Sequence, residues 1–543
     1  MAESRAKEIQ SRFEELRTTR SLWEGQWSEI GRLVMPRRMD EARGFSDTGT
    51  PRTRGQILSH RIFDPTASFA AEQLASFLGT QLINPQERWF GLRFRDERLH
   101  DDQTAAVWLR TTENLLMAEL NAPTSSFHPA MSEVFLDMVT FGSADLTITE
   151  NRFGRPVFIA RPLTEIYAAE NAESDVDTIF RKYDWTARQV LQFFGEVPEP
   201  LAKRIDRLEP AQRLTERIPM LHAVFPREDA DPRSRLSTDL PWASVYLCLD
   251  PLTLISEGGF HDNPHVFTRW SKTPGDVYGR SPAFTVMPDI RMLQALSKVV
   301  IQAAQTRIKK PIMVPDDGFI GPLNLIPGGM SVYRATSRPD SRIIPLDLAD
   351  DPALGIDFIQ YRAQNILRAF FVDVIRGISM RGDASPLKAT EVIERRNEAL
   401  QALVPPLTRA QREALAPIID RTFNMMFRNG LLPDPPPTLQ EGGAIEIDFV
   451  APAVIAARIG EAEKMIRAFT DLALMAQLDP AIMKNINADK WARRVVALRG
   501  VAPDLLAPEG EAQDFRDRQE RMAQEAQLVA EGAEVAKAVG ALQ

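Results

Sequence analysis

The sequence predicts an α+β protein that is mainly α-helical, and three observations support this. Apolar residues recur at helical spacing over most of residues 4–141. Residues 155–275 instead carry short runs in which apolar and polar residues alternate, as is typical of strands. Long helical patterns return between residues 284 and 430. Helices on either side of a strand-rich segment favour the α+β class over an alternating βαβ fold.

Four helices are predicted before the strand-rich segment. They cover residues 4–35, 64–82, 102–121 and 126–141. Pro36 ends the first, and small residues in the second permit close helix packing.

The strands are predicted from short alternating runs. Those runs are "PVFIARPL", "IYAAE", "TIFRKYDW", "HAVFPRE", "ASVYLCLD" and "HVFTRW". One helix, "TARQVLQFFG", interrupts them and ends at its glycine. A further strand, "AIEIDFV", is predicted near the C-terminal end and precedes Ala-rich helical patterns.

Two long helices, 284–310 and 356–376, flank residues 311–355, which carry seven prolines and five glycines. A short polar loop follows the second helix. Ser385 is the predicted N-cap of the next helix and Pro386 its first residue. Strand candidates in the proline-rich segment are "MSVYR" and "RIIPL", and a last helical pattern, "LTRAQREALAPIIDRTFNMMFRNG", ends at Asn-Gly.

The composition is that of a globular protein of several domains. The chain has 543 residues and a formal net charge of −9, which argues against a surface that grips nucleic acid throughout. It does not exclude local basic stripes. The one cysteine, Cys248, permits no intrachain disulfide and is predicted to be buried in a strand. No apolar run reaches the roughly 18 residues that span a bilayer, so no membrane partner is expected.

No catalytic or metal-binding motif is identified, and no cofactor is expected. Gly382 and Lys388 have the spacing of a phosphate-binding loop, but Leu387 and Ala389 replace its second glycine and its hydroxyl residue. The tripeptide Arg-Gly-Asp at 381–383 is interpreted as a chance occurrence. The six histidines form no zinc-binding pattern, and no nucleophile elbow is present.

Basic residues are concentrated on the long helices. Residues 284–310 hold five basic side chains and one acidic one. At about 100° per residue, Arg291, Lys298 and Lys309 fall on one face. Two interpretations stay open: an ordinary solvated helix face, or a basic stripe that faces a polyanion. Helix 356–376 has the same bias.

Several segments resemble the portal proteins, or head-to-tail connectors, of short-tailed double-stranded DNA phages. "LWEGQWSEIGRLVMPR" is similar to the opening helix of that family, and "NPQERWFGLRF" to the segment that follows the first helices. "VYGRSPAFTVMPDIRMLQAL" resembles the start of the first stem helix and is the most distinctive stretch. "KATEVIERRNEALQAL" resembles the helix after the tunnel loop. The resemblance covers residues 20–430, and the C-terminal third fits by pattern alone.

The resemblance implies a homo-oligomeric ring, typically of about twelve subunits, around a DNA channel. It implies a wing (1–283), stem helices (284–310 and 356–376), a clip (311–355), a tunnel loop (377–388), a wing helix with a return strand (389–455), and a crown with an acidic tail (456–543). The implied location is the portal vertex of the capsid, after assembly in the host cytoplasm.

In this arrangement the tunnel loop projects into the channel. Its expected channel residues are Arg376, Met380, Arg381, Asp383 and Lys388. Gly377 and Gly382 would supply flexibility, while Ser385 and Pro386 restart the helix. The stem stripe is again Arg291, Lys298 and Lys309.

The implied partners are double-stranded DNA, the terminase large subunit that drives packaging, a tail adaptor, scaffold and the major capsid protein. Two alternatives remain open: another ring-forming virion protein such as a tail adaptor, and an enzyme of unrecognised type.

Overall fold

The structure is a computed structural model that divides into two compact units. Unit 1 comprises Met1–Asn84 and Ala118–Leu431, and unit 2 comprises Pro85–Met117 and Leu432–Gln543. The described residues are 2–38, 62–95, 103–231, 234, 236–308, 312–313, 344–345, 352–379, 402–437, 445–449 and 465–472, with single positions at 491, 492, 494, 495, 518 and 522.

The helices follow the predicted order along the chain. They are α1 (Ala2–Leu33), α2 (Thr66–Leu82), α3 (Gln103–Asn121), α4 (Phe127–Phe141), α5 (Ala187–Phe194), α6 (Glu199–Asp206), α7 (Pro282–Ile308), α8 (Pro352–Ala369), α9 (Val372–Ser379), α10 (Val404–Ala410) and α11 (Ala416–Arg428). A π-helical turn, Gln411–Leu415, joins α10 to α11.

Twelve strands are described, and all their pairings are antiparallel. They are β1 (Phe90–Phe94), β2 (Ser143–Glu150), β3 (Pro156–Arg161), β4 (Ile166–Glu170), β5 (Val176–Thr186), β6 (Arg217–Pro226), β7 (Trp242–Leu249), β8 (Leu252–Phe260), β9 (His265–Arg269), β10 (Ile312–Met313), β11 (Ile344–Pro345) and β12 (Ile445–Phe449). Strands β4 to β8 form a five-stranded sheet in chain order, and a second sheet has the order β3-β2-β9. Two further pairs are β10-β11 and β1-β12.

The five-stranded sheet is covered on both faces. Strand β6 illustrates the alternation, because Leu221 packs with Ile9 and Phe13 of α1, while its neighbour Met220 belongs to a different cluster. That second cluster includes Leu201 of α6, together with residues of α5. Successive side chains of a strand point to opposite faces, so α1 and the α5–α6 pair cover the two sides of the sheet.

Helix α5 shows how the local sequence sets the helix ends. The Thr186 hydroxyl accepts a hydrogen bond from the backbone N–H of Gln189, and the Gln189 side chain accepts one from the backbone N–H of Thr186. This capping box satisfies two donors that a helix start leaves unpaired. Gly195, with a positive φ of 71°, ends the helix, as the sequence predicted.

Unit 2 contains the strand pair β1-β12. Phe90 pairs with Phe449 and Phe94 with Ile445 at the two ends of this ladder. The Trp108 indole donates a hydrogen bond to the carbonyl oxygen of Pro433 at 2.9 Å.

The α+β class is confirmed, and most predicted elements are found within a residue or two of their expected bounds. Helix α6 and strands β1, β8 and β10 were not predicted. The run of β8, "LTLISEGGF", contains two glycines and gives a weak strand signal. The candidate "MSVYR" lies outside the described residues, whereas "RIIPL" contains β11.

The expectation of one continuous helix over 356–376 is wrong. The helix breaks at Phe370 and Phe371, and Phe371 has a left-handed φ of 57°. The break lets Phe370 and Val372, on either side of it, both become fully buried. Helix α9 then continues to Ser379, so residues 377–379, expected to begin a loop, are helical.

Candidate functional site: the long helix pair and its anchors

Helices α7 and α8 pack against each other in an antiparallel arrangement. Arg362 of α8 donates to Asp289 of α7 at 2.5 Å. Further along α7, Val300 lies against Gly355 of α8: a β-carbon on Gly355 would be 2.9 Å from the Val300 side chain. These two contacts show that the helices are antiparallel, because the residue numbers increase along α7 while those of their partners decrease along α8. The buried residues of α7 recur at helical spacing: Ala283, Val286, Met287, Ile290 and Leu293.

The start of α7 is anchored by buried polar contacts. Tyr278 is 2% exposed, and its hydroxyl accepts a hydrogen bond from the backbone N–H of Ala168 at 3.0 Å. The Ser281 hydroxyl donates to the carbonyl oxygen of Thr140 at 2.7 Å. The indole ring of Trp27 lies edge-on to Tyr278 with 5.0 Å between ring centroids. The distinctive "VYGRSP" stretch is therefore a docking segment that fixes the helix to the body of unit 1.

Arg269 at the end of β9 joins several segments of unit 1. Its guanidinium forms ion pairs with Glu170 and with Glu413, the latter at 2.7 Å. It also donates to the carbonyl oxygens of Ser174 at 3.2 Å and Val277 at 3.3 Å. Because the arginine is buried, these partners replace the water that a charged group would otherwise bind.

Helix α7 is also bound to α1 and to the segment before α2. The Arg291 guanidinium forms a two-pronged ion pair with Glu29, which raises the pKa of Arg291. Gln294 accepts hydrogen bonds from the backbone N–H groups of Phe63 at 2.8 Å and Asp64 at 3.1 Å. These contacts hold one face of α7 against the N-terminal part of the chain.

Two residues of the predicted basic stripe lie on exposed positions of α7, with contacts inside the chain. Arg291 is paired with Glu29, and the Lys298 ammonium lies 5.9 Å from the ring centroid of Phe63. They are seven residues apart and share a face. Lys309 lies outside the described residues.

The structure describes only the beginning of the predicted loop site. Arg376 is exposed on α9, and Gly377 is within the same helix. The remaining residues of this prediction lie outside the described part of the chain: Met380, Arg381, Gly382, Asp383, Ser385, Pro386 and Lys388.

Both long helices expose large apolar side chains. Val299 of α7 is 58% exposed, and Phe358 and Tyr361 of α8 are 53% and 56% exposed. Met292, Ile301 and Ile356 on the same two helices are also exposed. Large apolar side chains exposed on a protein surface often mark a contact with a further protein element.

The buried cysteine has the environment that its sequence pattern predicted. Cys248 is fully buried in β7, and burial raises the pKa of its thiol to about 11. The thiol donates to the carbonyl oxygen of Asp250 at 3.1 Å. A thiol with a raised pKa holds little thiolate at neutral pH and is a poor nucleophile.

Neither a metal site nor a membrane-spanning helix is found among the described residues. Within these ranges, no cluster of three or more His, Cys, Asp or Glu residues could hold a metal ion. Over the same ranges, no helix has both the length and the apolar character that crossing a membrane requires.

Sequence reasoning missed two buried arginines that organise unit 1. Arg269 falls within a predicted strand and Arg20 within the first predicted helix, and the sequence singled out neither. Arg20 is 1% exposed and donates to the carbonyl oxygens of Ile166 at 2.6 Å and Thr164 at 2.9 Å. A charged residue on the apolar face of a helical pattern is the one signal that could have found it.

Comparison with known proteins identifies the family. Residues 6–506 match the family described as "Bacteriophage head to tail connecting protein". The chain belongs to this family, whose members are the portal proteins of phages. It is 28% identical over 547 residues to the "Probable portal protein" of Bordetella phage BPP-1, covering 99% of this chain and 95% of that protein. It is 25% identical over 538 residues to the "Portal protein" of Salmonella phage epsilon15, covering 98% and 94%.

Proposed function

We propose that the chain forms a closed ring at one vertex of the capsid, in which α7 and α8 of each subunit pack against the next subunit around a DNA channel. As a portal protein the chain is a structural component of the virion rather than an enzyme. The family match over most of the chain carries the proposal, and the exposed apolar side chains of α7 and α8 supply its physical basis.

The physical basis is the cost of leaving those side chains in water. Fully burying one large apolar side chain stabilises a protein or an interface by about 1.5–3 kcal/mol. Val299, Phe358 and Tyr361 are each more than half exposed in the single chain. A ring lets every subunit bury this surface without an unpaired end, because a closed cyclic assembly repeats one interface around its axis.

The ring number and the subdomain roles are finer parts of the proposal. The ring holds about twelve subunits, by likeness to the family. Residues 1–283 form the wing, 311–355 the clip, 377–388 the tunnel loop, 389–455 the wing helix with its return strand, and 456–543 the crown. The stem corresponds to α7, α8 and the start of α9.

The DNA-facing residues of the proposal are the stem stripe and the tunnel loop. Arg381 and Lys388 supply positive charge in the loop. Because the ring repeats each residue once per subunit, each forms a circle of positive charges around the channel, called a collar here. An acidic protein with a few such collars centres DNA without holding it tightly, since each neutralised phosphate adds to a salt-dependent grip.

Partners follow from the place of such a ring at the head–tail junction. The subunit contacts double-stranded DNA without sequence specificity, the terminase large subunit during packaging, and the tail adaptor afterwards. Scaffold and the major capsid protein hold it at the vertex, and assembly takes place in the host cytoplasm.

Imaging of the purified full-length protein tests the proposal. Negative-stain electron microscopy with mass photometry is expected to show rings of about twelve subunits with a central hole. Because assembly of the ring can depend on scaffold, the same measurement is repeated with scaffold added. Particles that stay monomeric in both conditions contradict the ring.

A further inference from the structure

A cavity of about 670 Å³ lies in unit 1, with walls contributed by both of its sheets and by α11. This volume is in the range of small-molecule sites, roughly 300–1,000 Å³. The lining includes Arg161 of β3, Arg181 of β5, His265 of β9 and Arg421 of α11. Aromatic side chains of β5, β6, β7 and α5 form another part of the lining, which also includes one acidic residue, Glu150. The portal role described above uses none of these groups.

Arg161 lines the cavity without an ion-pair partner in the described part of the chain. Its Nε donates to the Thr147 hydroxyl at 3.2 Å. The carboxylates of Asp145 and Glu165, which act on its charge, instead contact His265 at 3.0 Å and Arg181 at 2.8 Å. Burial lowers the pKa of Arg161 to about 10, so the guanidinium stays charged at neutral pH. A charged guanidinium fork without a carboxylate suits a bidentate anion.

His265 adds a buried polar atom that the protein leaves unsatisfied. Its side chain is 0% exposed, and Nδ1 lies 3.0 Å from Asp145 Oδ2. A carboxylate beside Nδ1 places the proton on that nitrogen. Among the described residues, none forms a hydrogen bond with Nε2. An unpaired buried nitrogen destabilises the folded chain, and a hydrogen-bonding ligand would offset that cost.

Another part of the lining is aromatic. The rings of His222 and Tyr246 stack with 4.0 Å between centroids and 5° between planes. The centroid of the Phe193 ring lies 5.8 Å from that of Tyr246 and 5.0 Å from that of Trp185. Burial holds the pKa of His222 well below its usual value, so this wall is uncharged at neutral pH. A flat ring packs favourably against such a surface.

We propose that this cavity binds a phosphate-bearing small molecule with one aromatic ring system, the chemical class of the nucleoside monophosphates. Arg161 holds the phosphate, with Arg421 supplying a second positive charge. Nε2 of His265 accepts a hydrogen bond from a donor at the ligand's polar edge. The ligand's ring lies against Tyr246, Trp185 and Phe193. A phosphate on the arginines and a ring on the aromatic residues match the two chemistries of the lining.

Isothermal titration calorimetry of the full-length protein with 2′-deoxyadenosine 5′-monophosphate tests the site. Binding is expected for the wild type and at least tenfold weaker binding for Arg161→Gln. Arg155→Gln is the matched control, because Arg155 lies just before β3 and its half-exposed side chain pairs with Glu119. Arg161→Lys keeps the charge but not the fork and is expected to bind with intermediate affinity. Thermal unfolding of each variant checks that it is folded.

Two further probes separate the parts of the proposal. Deoxyadenosine, which lacks the phosphate, and inorganic phosphate, which lacks the ring, are each expected to bind at least tenfold more weakly. Deoxyadenosine binding as tightly as the monophosphate overturns the role of Arg161, and phosphate binding as tightly overturns the aromatic part. No heat from the monophosphate, or equal binding by the folded Arg161→Gln variant, overturns the site.

Discussion

The backbones of Gly142 and Gly279 approach so closely that a β-carbon on Gly279 would lie 2.3 Å from the Gly142 carbonyl oxygen. Gly142 ends α4 with a φ of 86°, and Gly279 lies in the docking segment before α7. The N–H of Gly279 also donates to the Ser143 hydroxyl at 2.8 Å. This contact sets where the long helix leaves the body of unit 1.

Gly279→Ala is expected to destabilise the chain by roughly 1–3 kcal/mol, because the backbone at this contact has to move to admit a methyl group. Gly25→Ala is the matched control. No atom lies within 4 Å of a β-carbon there, and the exposed helical position predicts about 0.5–1 kcal/mol of stabilisation. Urea unfolding followed by tryptophan fluorescence measures both. An unchanged midpoint for Gly279→Ala contradicts the contact.

Arg269→Met is expected to cost about 1–3 kcal/mol, because Glu170 and Glu413 lose the guanidinium and keep only Lys272 and Arg409 as charge partners. Arg412→Met is the control: its side chain is 75% exposed and pairs with Asp175, a class of ion pair that contributes about 0–1 kcal/mol. Equal effects of the two substitutions on the urea midpoint would refute the joining role of Arg269.

Asp137 of α4 is expected to make stability depend on pH. Burial raises the pKa of its carboxyl group to about 7, despite Arg38, whose Nε lies 3.1 Å from Oδ1. In the unfolded chain the pKa is about 3.9. Between these values the folded state keeps a proton that the unfolded state releases, so this contribution to stability falls as pH rises from about 4 to about 7.

Asp137→Asn removes that dependence. The free energy of unfolding of the variant, relative to wild type, is expected to rise by roughly 2–4 kcal/mol between pH 4 and pH 7. Glu133→Gln, a change at a half-exposed carboxylate of the same helix, is expected to give a smaller rise, because the charge of Glu133 adds to the raised pKa of Asp137. A flat difference for Asp137→Asn would show that its pKa is not raised.

Phe358→Glu is expected to prevent ring formation while leaving the single chain folded, because it places a charge on the proposed subunit interface. Leu214→Glu is matched in exposure, at 55% against 53%, and lies outside the long helices. Mass photometry reads out the assembly, and circular dichroism checks the fold. Rings formed by Phe358→Glu would place the interface elsewhere.

Arg291 needs a test that separates its ion pair from a role toward DNA. We expect Arg291→Glu to impair DNA packaging, because it reverses a charge of the proposed stem stripe. Adding Glu29→Arg restores the ion pair with the two charges exchanged, so position 291 of the stem stripe stays negative. Ring assembly is therefore expected to be normal in the double variant, whereas the genome content of virions stays low. Recovery of normal genome content would assign Arg291 a purely structural role.

The loop residues are tested by Arg381→Ala combined with Lys388→Ala. Rings are expected to assemble normally, while DNA packaging or retention falls, since two positive collars are lost. The DNA content of each virion measures whether packaging or retention has fallen. A normal content would show that these two cations do not act on DNA.

Much of the secondary structure was open to prediction because it depends on local patterns. Helix α5 followed from its helical pattern and a terminal glycine, and strand β4 from one alternating run. The break between α8 and α9 was not predictable, since Phe370 and Phe371 fit a continuous helix locally. Only burial of Phe370 and Val372 against other parts of unit 1 selects the left-handed turn.

The sequence by itself determined the class of fold, the order of its helices and strands, and the likeness to portal proteins, because these depend on periodicity, caps and short motifs. The tertiary structure decided which charges are structural. Arg20 and Arg269 look like ordinary surface cations in the sequence, yet both are buried with partners more than ninety residues away. It likewise decided that Arg161 and His265 line one cavity. Long-range packing brings such groups together, and no local pattern encodes that proximity.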